Sequence, residues 1–366
     1  MPVKSARFVR DTVRPLRGVA GLLMLAACSP DSGGNAQTTV PLPTGHYEGP
    51  ISYQGTELRV SLDLREVAPG KLQADVSFPQ VPGLEFEATR LNYQEPQLQL
   101  EQGVGGISLQ AVREGDFLRG VLSWDSVRAD FVWARRGEAA ARPFRLQTLA
   151  LRSAGGAQAG QLRIPDDTLT RHPAVALLAQ PQTLAAAQTR AAYLARRGFV
   201  TLVVTAATPS VPSDSGAYRT TGMALAALRQ HSTVDSGRVG CWVRGSLALQ
   251  VAAAASQTKP ARFVVMEAAP ATTREQATAY LPLSRQRVPV LALYAGLDTT
   301  TDVRESARRL RTTLGGRSGS QVRIYSQAGP EFRQRGRISP NGQWQWPKPA
   351  EGYWEGLVEW LRQRDQ

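Results

Sequence analysis

Cysteine is almost missing from this chain: Cys28 and Cys241 are the only two in 366 residues. A disulfide framework is therefore excluded, and the fold must stand without cross-links. Histidine is nearly as scarce, at His46, His172 and His231 only. No spacing of these residues with cysteine or carboxylates matches a metal-ligand motif, so no metal is expected. No glycine-rich loop has the form that cradles phosphate, and Gly103-Val-Gly-Gly106, between short β-segments, reads as a turn, so no cofactor is expected. Lysine occurs only at Lys4, Lys71, Lys259 and Lys348, which makes the positive excess almost wholly arginine. With no nucleic-acid module beside that charge, no nucleic-acid partner is expected.

What is present begins with a basic N-terminus. Lys4, Arg7, Arg10, Arg14 and Arg17 stand against Asp11, and the short apolar run Val19-Ala-Gly-Leu-Leu-Met-Leu-Ala-Ala27 follows. The run is too short to span a bilayer and has the proportions of a signal peptide. Leu25-Ala26-Ala27-Cys28 resembles a bacterial lipobox. That resemblance implies cleavage before Cys28, acylation of its sulfur and a membrane partner, in a bacterial cell envelope. Loss of 1–27 would leave +9 of the formal +13 charge. Residues 28–44 then read as the lipidated cysteine and a polar, flexible tether. Late arginines, among them Arg304, Arg308, Arg309, Arg311, Arg333, Arg335 and Arg337, either face polyanions or spread over a solvated surface. Cys241, inside an apolar strand, reads as a reduced core thiol.

Residues 45–136 carry short segments with apolar residues at every second position, such as Glu57-Leu-Arg-Val-Ser-Leu-Asp-Leu64 and Val127-Arg-Ala-Asp-Phe-Val-Trp133. Turn residues punctuate them at Gln54-Gly55, Pro69-Gly70 and Pro82-Gly83. Alternation with regular turns predicts a small antiparallel β-domain of about eight strands, either an up-and-down barrel or a two-sheet sandwich. Its role reads as a spacer or docking module, with small-ligand binding as the other possibility. Gly137-Glu-Ala-Ala-Ala-Arg-Pro143 has linker composition.

Over 144–366 strands alternate with helices. Leu146–Leu151 and Gln161–Ile164 read as an antiparallel pair, and Pro173-Ala-Val-Ala-Leu-Leu178, Phe199-Val-Thr-Leu-Val-Val204, Phe263-Val-Val-Met266, Val290-Leu-Ala-Leu293 and Val322-Arg-Ile-Tyr325 as buried strands. Helices are expected from Ala185 to Arg197 and from about Thr221 to Gln230. Continuous apolar runs fit strands buried on both faces, so a doubly wound, mostly parallel α/β sheet is expected. At its centre, Arg238-Val-Gly-Cys-Trp-Val-Arg-Gly-Ser-Leu-Ala-Leu reads as strand, sharp turn and helix.

With Ala192-Tyr-Leu-Ala-Arg-Arg-Gly-Phe-Val200, Asp235-Ser-Gly-Arg-Val-Gly240, Val288-Pro-Val-Leu-Ala-Leu-Tyr-Ala-Gly-Leu-Asp298 and Tyr353-Trp-Glu-Gly-Leu-Val-Glu-Trp-Leu361, this region resembles the α/β-hydrolase superfamily. The bacterial prolyl-oligopeptidase-like and dienelactone-hydrolase-like esterases are its nearest likeness. The resemblance implies a nucleophilic serine on the strand–turn–helix elbow, oriented and activated by a histidine and a carboxylate. Here the G-x-S-x-G register reads Val243-Arg244-Gly245-Ser246-Leu247, placing Gly245 at the nucleophile position. Asp298 fills the acid position, and Pro330 stands at the histidine position in Ala328-Gly329-Pro330-Glu331-Phe332. Glycine offers no nucleophile and proline no base.

Pro181, in the loop implied to hold an oxyanion, has no N–H to offer. The sequence 267–287 is too short for a substrate lid, and Ala206 to Gly216 replaces the family's Asp-Arg-Gly turn. Asp298 then reads as a cap for a helix starting near Thr300. Ser246 is the fallback nucleophile. His172 and His231 read as surface residues at the opposite sheet edge, and His46 belongs to the first domain. No catalytic residue is therefore expected. The leading expectation is a lipid-anchored binding or scaffolding protein, holding an unknown small-molecule or protein ligand in a vestigial crevice. The alternatives are an active esterase or peptidase with an unconventional nucleophile, and a structural envelope component.

Overall fold

Alternation in the first half of the chain closes into a single antiparallel sheet. The computed structural model describes residues 42–103, 106–153, 156–206, 216–256, 259–316 and 319–364. Segment 1–27, Cys28, most of the tether and most of the turn at 206–216 lie outside the described residues. Pro41–Gln366 is one compact unit. Its first sheet has nine strands: β1 Gly45–Tyr53, β2 Thr56–Ala68, β3 Lys71–Ser77, β4 Glu85–Glu87, β5 Arg90–Gln94, β6 Gln97–Glu101, β7 Ile107–Glu114, β8 Phe117–Trp124 and β9 Val127–Gly137. Their spatial order is β4-β3-β2-β1-β9-β8-β7-β6-β5.

Two meanders are thus joined where β1 pairs with β9, and the sheet curls into a half-barrel rather than closing or splitting into a sandwich. Tyr47, Val60, Leu62, Leu98, Leu109, Trp124 and Trp133 fill its concave side, every second residue pointing inward. The sequence could not decide among barrel, sandwich and half-barrel, because period two is common to all three. The outcome turns on the single segment 85–94, whose β4 pairs with β3 and whose β5 pairs with β6; Ala88 N–H donates to Ala74 O at 3.0 Å and Thr89 N–H to Glu101 O at 2.9 Å, so the two ends join there, and beyond that junction β3 and β5 do not pair.

The second sheet has eight strands: β10 Phe144–Ser153, β11 Gly156–Pro165, β12 His172–Ala179, β13 Val200–Thr205, β14 Val234–Arg244, β15 Val264–Glu267, β16 Val290–Ala295 and β17 Gln321–Tyr325. In order β10-β11-β13-β12-β14-β15-β16-β17 it is mixed. β10, β11 and β13 pair antiparallel, and β13 through β17 run parallel.

Among the described residues seven α-helices accompany it: α1 Leu184–Ala195, α2 Gly216–Gln230, α3 Leu247–Ala255, α4 Arg274–Thr278, α5 Leu281–Arg285, α6 Val303–Leu314 and α7 Tyr353–Arg362. Successive residues of β12 serve opposite faces. Ala174, Ala176 and Leu178 pack in the cluster that holds Leu225, Val251 and Leu310. Val175 and Leu177 pack with Leu194, Leu357 and Trp360. Burial on both faces is what makes β12 a continuous apolar run.

The two sheets are tied by buried charge. Arg163 on β11 is fully buried and reaches Glu87 on β4 at 3.2 Å. Arg142, in the connection after β9, grips Asp75 of β3 with Nε at 2.7 Å and Nη2 at 2.5 Å. Burial alone would raise the Asp75 pKa, but the Arg142 hydrogen bonds and charge, aided by Arg65, hold it below the usual carboxylate range. Tyr193 of α1 stacks on Trp354 of α7, ring centroids 3.8 Å apart. Gly83 lies so close that a Cβ there would meet the Trp354 ring at 2.3 Å.

Candidate functional site

Strand order places the site. From β12 the chain crosses to β13 on one side, whereas from β14 it crosses to β15 on the other. Connections that diverge in this way open a crevice at the carboxyl ends of the two strands. The loop after Ala179 and the turn after Arg244 flank it.

Gly245 makes that turn, with φ 63°, in the left-handed region glycine adopts readily. Its N–H donates to Glu267 O at 2.8 Å, and α3 begins two residues later. A Cβ at Gly245 would meet nothing within 4 Å. The elbow geometry is thus present with no side chain on it. Ser246 is exposed at the N-cap of α3 and makes no capping hydrogen bond.

The other two positions come to the same edge. Arg244 Nη2 donates to Pro330 O at 2.9 Å. Leu297 N–H donates to Ala328 O at 3.0 Å, stitching the loop of Asp298 to the loop of Pro330. Asp298 is buried, and its Oδ1 accepts from Thr300 N–H at 2.9 Å and Thr300 Oγ1 at 2.6 Å. It closes a local turn instead of capping a helix. The next helix, α6, starts at Val303 and is capped by Asp302, whose Oδ1 accepts from Glu305 N–H at 3.0 Å. Two Asp residues four apart compete for one cap, and only Asp302 stands three residues before a helical N–H.

No histidine joins this edge. His172 opens β12, opposite Val234, and Leu178 six residues further along pairs with Val243 beside the elbow. At about 3.3 Å per strand residue the separation is roughly 20 Å. His172 is not a surface residue: it is 2% exposed, with Nδ1 against Gly198 O at 3.2 Å. The loop Asp166–Arg171 and the turn at Gly198 cover it, which strand periodicity does not reveal. His231 contacts Thr233 at that same amino end, and His46 pairs with Asp63 in the half-barrel at 2.9 Å. Across the crevice, Gln180 N–H is taken by Thr183 Oγ1 at 3.1 Å, and Pro181 opens a 3-10 turn.

The crevice itself is filled by charge. Arg190 of α1 donates from Nε to Glu267 Oε1 at 2.8 Å, and from Nη1 and Nη2 to Glu331 Oε2 at 3.4 Å. Arg244 Nη1 meets Glu331 Oε1 at 2.5 Å. The Tyr353 hydroxyl donates to Glu267 Oε1 at 2.7 Å. Burial would lower the Arg190 pKa, but Glu267, Tyr353 and Glu331 raise it well above the usual value. Burial would raise Glu331, and Arg190 with Arg244 outweigh it, leaving that carboxyl below its ordinary range. Tyr353 is pushed well up, first by burial and then by Glu267.

Each carboxylate is followed by a non-glycine residue in the left-handed region, Ala268 at φ 48° and Phe332 at φ 54°. Such residues cost of order 1–3 kcal/mol and persist where their surroundings fix them. Two small cavities remain at the cluster, one of about 20 Å³ beside Arg190, Arg244, Trp242 and Glu267 and one of about 50 Å³ beside Arg190, Glu331 and Tyr353, room for a few waters at most.

The segment after Pro330 completes the arrangement. Arg333–Gln334 pairs with Lys348–Pro349, and Arg337–Ile338 with Trp344–Gln345. This arm reaches the half-barrel, where Trp346 stacks on Trp124 at 6.1 Å and Trp344 meets Tyr53 edge-on at 5.2 Å.

Neither motif nor spacing singles out Arg190, Glu267, Glu331 and Tyr353 in the sequence. One signal is available: Arg190 interrupts the apolar stripe Ala186, Ala187, Ala191, Leu194 of a helix, where a cation requires a buried partner. Among the described residues, no group of three His, Cys, Asp or Glu side chains stands as a metal site needs. None of the described helices is long and apolar enough to cross a membrane.

No family model matches the chain, and no curated protein is similar to it in sequence. Solved structures share its path loosely. A thermostable esterase from Pseudomonas putida is 16% identical with a TM-score of 0.37, over 50% of this chain and 72% of that one. A putative dienelactone hydrolase from Klebsiella pneumoniae subsp. pneumoniae is 12% identical with a TM-score of 0.42, over 60% of this chain and 99% of that one. Porphyromonas gingivalis dipeptidyl peptidase 4 is 10% identical with a TM-score of 0.44, over 86% of this chain and 48% of that one.

Proposed function

We propose that this is a non-catalytic protein of α/β-hydrolase type, held to a bacterial envelope membrane through Cys28 and acting as a binding or scaffolding protein. The observation that carries the reading is the ion cluster in the crevice. Arg190 and Arg244 converge on Glu331, one residue past Pro330, while the adjacent elbow carries only Gly245. A reacting serine and its base need that volume free and a proton acceptor within about 3 Å. Here salt bridges take the volume, and the three histidines lie elsewhere. Ser246 as an unconventional nucleophile gains no base from this arrangement.

A fluorophosphonate probe tests the catalytic half. The full-length protein is expected to stay unlabelled; labelling that disappears in Ser246→Ala would overturn the reading and restore the esterase or peptidase alternative. In the converse test, Gly245→Ser with Pro330→His should label weakly, since a Cβ at Gly245 meets nothing within 4 Å while its left-handed φ strains the substitution. The anchor is tested separately, by following the Cys28→Ser protein out of the membrane fraction. If it stays there, the acylated-cysteine part of the proposal is wrong.

A further inference from the structure

The arm between Glu331 and Glu351 carries no carboxylate and four cations, Arg333, Arg335, Arg337 and Lys348. Arg333 pairs with Pro349, Gln334 with Lys348, Arg337 with Gln345 and Ile338 with Trp344, all in one register. Ser339 N–H extends that register by donating to Gln343 O at 2.8 Å. Residues 333–349 are thus one hairpin, closed by Pro340-Asn-Gly342 with Gly342 at φ 81°. Ser339 Oγ accepts from Gln343 N–H at 3.1 Å, so the tip is braced from inside.

Successive residues of a paired strand face opposite sides, which divides the hairpin chemically. Trp344 and Trp346 share one side and lie on the half-barrel, against Tyr53 and Trp124. Arg335, Arg337 and Gln345 take the other side, and all three are exposed. Asp125 and Glu331 offset the charge of Arg333. Among the described residues neither Arg335 nor Lys348 meets a carboxylate, and Arg337 donates to the neutral Gln345 Oε1 at 3.2 Å. At the tip Ile338 is 58% exposed, and Pro340 through Gln343 are exposed with it.

We infer that this hairpin tip is a contact for an anionic phospholipid surface, with Ile338 entering the headgroup layer and Arg335, Arg337 and Lys348 meeting phosphate. An exposed aliphatic side chain beside uncompensated cations is the combination that such an interface stabilises. A nucleic acid would gain instead from aromatic faces on which bases stack. The two tryptophans that could supply them are turned onto the half-barrel. The inference rests on the envelope-membrane reading for its place in the cell, and adds a second, weaker attachment to the acyl chain proposed at Cys28.

The test uses the full-length protein with Cys28→Ser and Asn341→Cys. No acyl chain is then present, and Cys241 is fully buried, so an environment-sensitive nitrobenzoxadiazole label goes to position 341 at the tip. Vesicles of phosphatidylglycerol and phosphatidylethanolamine should brighten the emission and shift it to the blue, saturably and less at high salt. Phosphatidylcholine vesicles should leave it unchanged. Each cation near an anionic surface is worth roughly fivefold in binding, so Arg335→Gln with Arg337→Gln should weaken the response about thirtyfold. Ile338→Asp should abolish the blue shift. All three positions are exposed, so these variants should keep the parent's circular dichroism and urea midpoint. The inference is overturned if anionic vesicles leave the emission unchanged, if phosphatidylcholine acts as well as they do, or if the response survives the arginine substitutions. An equal response to duplex DNA would overturn it in favour of a general polyanion site. Because the label reports on the tip of a protein without its acyl chain, a silent tip leaves the fractionation test at Cys28 to stand or fall by itself.

Discussion

Arg244 stands one residue before the elbow, and its guanidinium meets the Glu331 carboxylate at 2.5 Å while also donating to Pro330 O at 2.9 Å. One side chain thus ties the turn at Gly245 to the loop at Pro330, and the two loops are clamped to each other. Arg190 extends the clamp to Glu267 and α1, and the arm beyond Pro330 carries it to Trp124 in the half-barrel. Crevice and half-barrel are therefore parts of one packed structure.

Removing one partner from the most buried pair should be severe. Glu267 is 1% exposed and Arg190 6%, so Arg190→Met leaves a carboxylate with only the Tyr353 hydroxyl. Breaking a buried pair from one side typically costs about 3–5 kcal/mol, whereas replacing both partners is often near neutral. Urea unfolding should show a large loss for Arg190→Met and for Glu267→Gln alone. The double substitution should lose less than the sum of the two, and simple additivity would mean that the pair is not coupled.

Acid should weaken the protein through Glu331 and Asp75. Both carboxyls sit below their ordinary values in the folded chain, despite burial that pushes the other way, because arginines face them. A depressed folded pKa contributes stability that is present above the unfolded value, about 4, and lost as pH falls through the folded one. Tyr353 acts oppositely: raised by burial and by Glu267, it contributes stability below about pH 10 that is lost above. Urea midpoints should therefore be flat from about pH 5 to 9 and fall on both sides. The acid fall should be shallower in Glu331→Gln, and an unchanged acid limb would refute the assignment.

Much of this fold is legible in the chain because the relevant signals are local. Continuous runs such as Val290–Ala295 announce strands covered on both faces, and alternation in Val127–Gly137 announces one covered face. The elbow at Gly245 can be read from its strand, glycine and alanine-rich helix. Helix α2 starts five residues before the expected Thr221, since Gly216 at its start is a poor helix former and gives no helical signal in the sequence. Long-range pairing is not legible. Nothing near Glu267 in the sequence names Arg190, 77 residues away, as its partner. The same limit hides the curl of the half-barrel, which depends on one segment pairing with β3 through Ala88 and with β6 through Thr89.

The thiol of Cys241 offers a probe of unfolding. It is fully buried on β14 between the helical layers, and burial pushes its pKa up to about 12. Since the thiolate is the reactive form, alkylation should be negligible in the native state at pH 8. In a Cys28→Ser background, iodoacetamide labelling should track urea unfolding measured by tryptophan fluorescence. Rapid labelling without denaturant would show that β14 is open in the native state.

Two glycines at the site should respond differently to alanine. Gly245 sits at φ 63°, and a methyl group there would find nothing within 4 Å, so Gly245→Ala meets backbone strain but no clash. The left-handed conformation costs an L-residue about 1–2 kcal/mol. Gly296, beside Asp298, is crowded instead: a Cβ there would lie 2.5 Å from Ser326 O and 2.6 Å from its Cα. Those atoms are backbone in the loop that Gly296 N–H and Leu297 N–H hold through Tyr325 O and Ala328 O, so they cannot move without parting the two loops. Gly296→Ala should thus lose the larger part of its stability through displacement, beyond the roughly 1–3 kcal/mol usual for overpacking. Thermal unfolding of the two variants side by side decides the matter: a Gly296→Ala protein no less stable than Gly245→Ala would mean the loops are not pinned where the structure puts them.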